Sequence, residues 1–182
     1  MACCIVGSMR SYHLWVVPSG ETYQLLSGVI VRLSEEYGSP RFAPHVTVLG
    51  HLPGSEADIL ARARQLAERL SPYQIELTVP GMTEHYFQCL FLHVAPTAAV
   101  LNAHAQAVTV FSSPDAAPYM PHLSLLYGSF PLDMKQGIIK ALPASLQLSF
   151  MVDRLLVIQA ESDDPKDWTP IMTIRLATPS TV

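Results

Sequence analysis

Residues 44–49 read PHVTVL, and residues 121–126 read PHLSLL. In both stretches a histidine follows a proline, a hydroxyl side chain comes two residues later, and aliphatic residues occupy the positions around them. This alternation with a period of two predicts a β-strand that buries one face. We therefore expect two strands that turn aliphatic side chains into a core and imidazole and hydroxyl groups to the opposite face.

The segments around these stretches follow one order in both halves of the chain. Apolar periodicity and turn residues predict strand–helix–strand–helix–strand as far as residue 79, and a similar series begins at residue 86. One half cannot cover both faces of its own sheet, so we predict two sheets that meet across a cleft, with helices outside. The predicted strands are residues 12–17, 45–49, 73–79, 86–94, 122–127, 146–152, 155–159 and 171–176, and the predicted helices are residues 21–37, 56–70, 97–111 and 132–142.

The composition excludes several classes of protein. Of the 182 residues, 49% are hydrophobic and only 14% are charged, which excludes a disordered chain. The longest apolar runs are far shorter than the roughly 18 residues that a membrane-spanning helix needs. With 11 basic and 15 acidic residues, the net charge is −4 and the pI is about 5.9. This balance disfavours a groove for long nucleic acid.

The three cysteines predict neither a disulfide framework nor a zinc site, because two are adjacent and the third stands alone. Cys3 and Cys4 belong to an N-terminal segment, residues 1–10, that we expect to be flexible. Cys89 lies in an apolar stretch, where we expect it to be a small buried side chain. No secretory signal opens the chain, so we expect a cytoplasmic protein.

The two histidine motifs suggest one kind of chemistry if their strands face each other. His45, His122, Thr47 and Ser124 would then converge. One neutral imidazole can take a proton from water while a protonated imidazole gives one to a leaving oxygen, and hydroxyls can bind phosphate oxygens. This chemistry needs no metal and no other cofactor. The alternative is that both histidines are hydrogen-bonded structural residues, and the sequence does not say which histidine is the base.

The paired motifs, HVTV at residues 45–48 and HLSL at residues 122–125, resemble those of the 2H phosphoesterases, a superfamily named for two His-x-Thr/Ser-x motifs. Within that superfamily, the chain looks most like the cyclic phosphodiesterases of plants and fungi. The resemblance spans about residues 12–176. Further matching stretches are residues 15–18, 40–44, 87–92, 119–121 and 126–127.

The resemblance implies a bilobal α+β fold, formed by residues 11–178 as a single domain. In this fold, two pseudo-symmetric lobes with antiparallel sheets face a central cleft, and the helices lie outside. The implied activity is hydrolysis of ADP-ribose 1″,2″-cyclic phosphate to ADP-ribose 1″-phosphate, and of nucleoside 2′,3′-cyclic phosphates to 2′-phosphates. The resemblance makes His45 and His122 the acid–base pair, and Thr47 and Ser124 the phosphate-binding residues.

Several aromatic residues are candidates for the walls of the cleft. Tyr127 matches a cleft-lining aromatic residue of the family, although it could instead serve the core. Trp15, Tyr86 and Phe87 are weaker candidates for contacts with a nucleoside, and Trp15 and Phe87 could equally be core residues on strands. Arg41 could steer an anionic substrate or tie down its own loop.

The remaining histidines have plainer expected roles. If the first motif strand continued, His51 would share a face with His45 and reach the rim of the cleft; otherwise it is an exposed strand end. We expect His85 at the surface of a turn. His13, His93 and His104 are expected to be structural or exposed.

Three functions remain open at this stage. The first is hydrolysis of a small cyclic-phosphate nucleotide by a monomer that binds neither a membrane nor long nucleic acid. The second is action of the same kind of site on RNA 2′,3′-cyclic ends or 2′–5′ linkages. The third is a non-catalytic nucleotide-binding module.

Overall fold

Eight strands and four helices follow one another in residues 10–113, 118–143 and 146–178, which are the residues described by the computed structural model. The strands are β1 (Ser11–Val16), β2 (Val46–Leu52), β3 (Tyr73–Met82), β4 (Leu90–Val94), β5 (His122–Leu126), β6 (Ser149–Val152), β7 (Arg154–Ala160) and β8 (Trp168–Arg175). The helices are α1 (Gly20–Tyr37), α2 (Glu56–Arg69), α3 (Ala98–Phe111) and α4 (Leu132–Ala141).

The strands pair in the order β6-β3-β4-β5-β2-β1-β7-β8, and every pairing is antiparallel. The α+β class, with antiparallel sheets and helices packed against them, is therefore confirmed. The two expected sheets are four strands each, and they join edge to edge where Val46 of β2 pairs with Leu123 of β5. The two motif strands are thus neighbours at the centre of one curled sheet.

Each four-stranded half of the sheet draws on both halves of the chain. β3 closes the first strand–helix series but pairs with β4 and β6, whereas β7 comes late in the chain and pairs with β1. The lobes are consequently β1-β2-β7-β8 and β3-β4-β5-β6. Sequence order alone assigned strands to halves of the chain and could not reveal this exchange.

The helices form where the apolar residues have helical spacing. In α1, Leu26, Val29, Ile30 and Leu33 are buried on one side, and the helix ends at Gly38, whose φ of 64° is left-handed. Full burial of such a side chain contributes about 1.5–3 kcal/mol. The buried positions of both lobes form one continuous hydrophobic cluster that includes the aliphatic residues of the two motif strands.

Some expected element boundaries were wrong. The strand expected over residues 86–94 begins only at Leu90, because the segment Tyr86–Gln88 is a 3₁₀ turn closed by a hydrogen bond from the Gln88 N–H to the His85 carbonyl. The last strand begins at Trp168 instead of residue 171. The first motif strand begins at Val46 and continues to Leu52.

The cysteine and membrane predictions have different outcomes. Cys89 is buried, as expected. We expected residues 1–10, which include Cys3 and Cys4, to be flexible. All of these residues except Arg10 lie outside the described part of the chain. Among the described residues, no helix is both long enough and apolar enough to cross a membrane. The cytoplasmic location stays a prediction of the sequence.

Candidate active site

A cleft of about 620 Å³ runs along the polar face of the two motif strands. Its volume lies within the range of small-molecule sites, about 300–1,000 Å³. All four motif side chains line it, together with three of the four aromatic candidates. The lining residues are Ser11, His13, Trp15, His45, Thr47, Gly50, His51, Phe87, Gln88, His122, Ser124, Tyr127, Ala160, Ser162, Asp163 and Trp168.

The central strand pairing brings the two motifs together. Because Val46 pairs with Leu123 in antiparallel fashion, Thr47 comes opposite His122, and the residue before Val46 comes opposite Ser124. Each histidine is therefore beside the hydroxyl residue of the other motif. Val46 and Leu123 themselves are buried on the opposite face, as the alternation predicted.

His45 is held on two sides. Its Nδ1 lies 2.7 Å from the carbonyl oxygen of Ala43, and since a carbonyl only accepts, Nδ1 is the donor. Its ring is stacked on Trp15, with centroids 3.5 Å apart and planes 8° apart. This arrangement fixes the tautomer with hydrogen on Nδ1, which leaves Nε2 as the ring nitrogen that can accept a proton.

His122 repeats the same arrangement in the second motif. Its Nδ1 donates to the carbonyl of Met120 at 2.9 Å, and its ring contacts the edge of Phe91 with centroids 5.2 Å apart. The ring is half-buried, whereas that of His45 is almost fully buried. Both histidines therefore have the same tautomer, and they differ in access to solvent.

Burial also determines the charge of the two rings. Desolvation lowers the pKa of His45 to about 3 against the opposing hydrogen bond to Ala43, and the nearby His122 and His13 lower it further. Desolvation is likewise the main cause of the lowered pKa of His122. Both rings are neutral at pH 7 in the free cleft, and an anion placed between them would favour protonation of one.

Hydrogen bonds hold the Thr47 backbone and the Ser124 side chain in place. The Thr47 backbone carbonyl accepts a hydrogen bond of 2.9 Å from the Tyr119 hydroxyl, which holds β2 against the second lobe. The Ser124 hydroxyl donates to the carbonyl of Phe87 at 2.9 Å and so ties the 3₁₀ turn to the cleft. To bind a phosphate oxygen as a donor, this hydroxyl has to rotate away from that carbonyl.

Most aromatic candidates lie in the cleft. Trp15 is 7% exposed and serves both the core and the cleft. Tyr127 is stacked on Phe42 with centroids 3.8 Å apart, and its burial raises the pKa of its hydroxyl. Phe87 lines the cleft, but Tyr86, 42% exposed, does not.

Sequence reasoning missed Trp168. Its ring lies 5.6 Å from that of Trp15, 5.9 Å from Phe87 and 6.0 Å from Tyr127, measured between centroids. The available signal was a large aromatic residue directly after the polar turn at residues 161–167. That signal does not reveal that β8 returns to the lobe that contains the first motif.

Of the other five histidines, His13 and His51 belong to the cleft lining, whereas His85, His93 and His104 do not. His51 thus reaches the rim of the cleft, which is one of its two expected positions. We expected His13 to be structural or exposed, but it lines the cleft. His104 is structural: its Nδ1 lies 2.8 Å from the Val48 carbonyl oxygen and its ring stacks on Tyr119. His85 is exposed, as expected.

Arg41 forms an exposed ion pair with Glu35 and does not line the cleft. This contact ties its loop to α1, which is one of the two roles expected for Arg41. Within the part of the chain that the structure describes, no group of three or more His, Cys, Asp or Glu side chains is arranged to hold a metal ion. The groups on the cleft wall can exchange protons and donate hydrogen bonds.

An antiparallel α+β fold whose duplicated strands bring two histidines and two hydroxyls into one cleft fits the two-histidine phosphoesterases that the paired motifs resemble. Comparison with known proteins agrees. The model of the 2′-5′ RNA ligase superfamily matches residues 24–164. A curated relative from Arabidopsis thaliana, named cyclic phosphodiesterase, is 30% identical over 159 residues, which cover 84% of this chain and 87% of that protein. The chain belongs to the 2′-5′ RNA ligase superfamily, the 2H phosphoesterases, and is a phosphodiesterase.

Solved structures share the fold at low sequence identity. E. coli LigT in its apo form is 14% identical, with a TM-score of 0.64, and the match covers 93% of this chain and 98% of that one. TT0787 of Thermus thermophilus is 17% identical, also with a TM-score of 0.64, over 93% and 99% of the two chains. Family membership favours an enzyme over the alternative of a non-catalytic binding module.

Proposed function

We propose that this phosphodiesterase hydrolyses small cyclic phosphates on ribose without a metal and acts as a monomer. Its substrates would be nucleoside 2′,3′-cyclic phosphates, opened to 2′-phosphates, and ADP-ribose 1″,2″-cyclic phosphate, opened to ADP-ribose 1″-phosphate. The observation that carries the proposal is the convergence of two histidine–hydroxyl pairs in one cleft. The name of the Arabidopsis relative supports it, as do the LigT structures with 3′-AMP and ATP.

His45 is the general base in this proposal. Its burial and its stacking on Trp15 favour the neutral ring, and the hydrogen bond from Nδ1 leaves Nε2 to take a proton from water. The resulting hydroxide forms a bond to phosphorus as the bond from phosphorus to the opposite ribose oxygen breaks. In a 2′,3′-cyclic nucleotide that leaving oxygen is the 3′ oxygen.

His122 is the general acid. Being half-buried, it takes a proton from solvent more readily than His45 does, and the negative charge of a bound phosphate favours its protonated form. Its Nε2 gives that proton to the leaving oxygen. Thr47 and Ser124 hydrogen-bond the non-bridging oxygens, where charge accumulates during attack.

The aromatic walls would hold the nucleoside. Trp15, Phe87 and Tyr127 act in this proposal as apolar contacts for the base and ribose, and Trp168 joins them. Neither arginine nor lysine is among the described residues that line the cleft. This composition disfavours a longer RNA strand, which carries a phosphate at every nucleotide, more than it disfavours a single nucleotide with one or two further phosphates.

Product identification tests the proposal. Purified protein with excess chelator is incubated with 2′,3′-cyclic AMP, with ADP-ribose 1″,2″-cyclic phosphate, and with an oligonucleotide ending in a 2′,3′-cyclic phosphate, and the products are assigned by phosphorus NMR. We expect 2′-AMP and ADP-ribose 1″-phosphate, formed faster than any product from the oligonucleotide. A 3′-phosphate product, loss of turnover in chelator, or faster turnover of the oligonucleotide would each contradict it.

A further inference from the structure

Two aromatic side chains outside the cleft lining contact the backbone of the first motif strand. The Tyr119 hydroxyl lies 2.9 Å from the carbonyl oxygen of Thr47, and His104 Nδ1 lies 2.8 Å from that of Val48. A carbonyl only accepts, so both side chains are donors. Their rings are stacked, with centroids 3.8 Å apart and planes 4° apart. The two rings, which we call the Tyr119–His104 stack, therefore hold two consecutive peptide groups of β2.

β2 needs these outside donors because it separates from its neighbouring strands here. Trp15 of β1 pairs with Thr47 and Leu14 pairs with Leu49, so Val48 is an extra residue, a β-bulge, that is left out of this ladder. On its other side, β2 meets β5 at a single residue pair in the described part of the chain. A buried carbonyl without a donor costs free energy, and the stack supplies the donors from α3 and from the segment before β5.

Thr47 is the residue whose position these bonds affect most. Its side chain lines the cleft opposite His122, and its Cα is attached to the first of the two peptide groups that the stack holds. The Ser124 hydroxyl has its own hydrogen bond to a backbone carbonyl, whereas no such bond holds the Thr47 hydroxyl among the described residues. The direction of the Thr47 side chain therefore depends on its backbone, and that backbone depends on the stack.

Tyr119 also connects the first motif to the second. It directly precedes Met120, whose carbonyl accepts the hydrogen bond from His122 Nδ1. One short segment thus bonds to the backbone of Thr47 at one residue and to the ring of His122 at the next. Burial and the nearby Tyr73 raise the pKa of Tyr119, so its hydroxyl stays protonated, and remains a donor, well above neutral pH.

We propose that Tyr119 and His104 are positioning residues of the phosphodiesterase reaction, which hold the Thr47 hydroxyl where it reaches the same phosphate as His122. Neither side chain lines the cleft, so neither acts by touching the substrate. The inference rests on the proposed function, since it takes Thr47 as a phosphate-binding residue. A purely structural stack would affect only stability, whereas loss of a positioning donor slows the reaction of enzyme that is still folded.

A double-mutant cycle tests the inference. kcat and KM on 2′,3′-cyclic AMP are measured for Tyr119→Phe, which removes the hydroxyl and keeps the stacked ring, in the wild type and in Thr47→Val. We expect Tyr119→Phe to lower the activity of the wild type by about tenfold, through kcat rather than KM, because a small displacement of a catalytic group is costly. In Thr47→Val, which has no hydroxyl to position, the same replacement should lower kcat by less than about twofold.

Tyr73→Phe is the matched control, because it removes the hydroxyl of another buried tyrosine near Tyr119 but outside the cleft lining. We expect its kcat to equal that of the wild type. Urea unfolding of each variant checks that it is folded under the conditions of the assay, so that a fall in kcat reports the reaction. An unchanged kcat in Tyr119→Phe, or an equal loss in both backgrounds of the cycle, would overturn the inference.

A pair of replacements at His104 provides a second test. Both His104→Leu and His104→Asn remove the stacked ring, but the asparagine amide nitrogen is as many bonds from Cβ as Nδ1 is and can donate to the Val48 carbonyl. We expect His104→Asn to keep a kcat at least about threefold above that of His104→Leu. Equal kcat in the two variants would overturn the role of this donor, and the pair decides the question if Tyr119→Phe does not fold.

Failure of the proposed function has a separate signature. A wild type that turns over neither 2′,3′-cyclic AMP nor ADP-ribose 1″,2″-cyclic phosphate would refute the proposed hydrolysis, and calorimetric titration with inorganic phosphate then tests the positioning of Thr47 by itself. Weaker phosphate binding on Tyr119→Phe replacement in the wild type, but not in Thr47→Val, would support the inference. The same loss in both backgrounds, or no loss, would overturn it.

Discussion

At the scale of single residues, the same local arrangement orients both motif histidines. In each motif, Nδ1 donates to the carbonyl two residues earlier, and a proline, Pro44 or Pro121, stands between. Proline restricts the residue before it to extended conformations, so it limits the directions in which the carbonyl of that residue can point. The proline before His45 and before His122 therefore helps to select the tautomer as well as to begin the strand.

Replacement of either histidine should abolish most of the activity. We expect His45→Ala and His122→Ala each to lower kcat on 2′,3′-cyclic AMP by about 10²–10⁴-fold, because each removes one proton-transfer group. Steady-state kinetics measures this, with His85→Ala at an exposed turn as the control. A variant that keeps nearly normal kcat would remove its histidine from the mechanism.

The pH dependence of kcat/KM should be set by His122. The proposed base, His45, has a pKa lowered to about 3, so its ring is already neutral above pH 5. Protonation prevents it from acting as a base only in stronger acid. The proposed acid, His122, must be protonated, and burial lowers its pKa below 6.5. We therefore expect kcat/KM to fall as the pH rises, with its maximum on the acidic side of pH 6.5.

A pH series from 4.5 to 9 on 2′,3′-cyclic AMP measures this profile. The control is His85→Ala, whose profile should coincide with that of the wild type. A kcat/KM that instead rises to a plateau above pH 7 would show that no group with a lowered pKa supplies the proton.

At the scale of elements, turns and strand irregularities shape the cleft as much as the strands do. The segment expected to be the start of a strand is the 3₁₀ turn Tyr86–Gln88, and its Phe87 lines the cleft. α4 anchors the approach to this turn. Lys135, only 1% exposed, donates from Nζ to the Thr83 carbonyl at 2.9 Å and to the Glu84 carboxylate at 3.2 Å.

Removal of the Lys135 ammonium should destabilise the protein. Lys135→Met keeps much of the apolar stem but removes the donor from the Thr83 carbonyl, and hydrogen bonds of charged groups contribute about 1.5–3 kcal/mol. We expect the free energy of unfolding in urea to fall by about that amount. Lys140→Met, at an exposed position of the same helix, is the control and should change little. An unchanged midpoint in Lys135→Met would contradict this account.

At the scale of the whole molecule, the two lobes cannot form independently in chain order. β3 leaves the first half of the chain to join β4 and β6, and β7 returns from the second half to join β1. Their buried residues form one hydrophobic cluster. We propose on this basis that residues 11–178 fold as a single domain.

Such a domain should unfold in one step. Calorimetric scans should give a single transition whose calorimetric and van 't Hoff enthalpies agree, since neither lobe keeps its strands without the other half of the chain. Two separated transitions, or a calorimetric enthalpy well above the van 't Hoff value, would mean that the lobes are independent units.

The sequence by itself determined which side chains share a face on the two central strands of this protein. The alternation around His45 and His122 was enough to place each histidine and its hydroxyl partner on one face of a strand, because side-chain direction in a strand follows from the backbone within a few residues. Helical spacing located the four helices for the same local reason. The repeated motifs also indicated the superfamily.

Only the tertiary structure decided what surrounds those motifs. Three features join residues that are far apart in the chain. They are the pairing of β2 with β5, the return of Trp168 to the first lobe, and the contact of His13 with His51 across a bulge. Periodicity reports which way a side chain faces and says nothing about which strand lies next to it. Which strands become neighbours depends on how all the elements pack around the hydrophobic core. This packing, which involves the whole chain, formed the cleft around the two motifs.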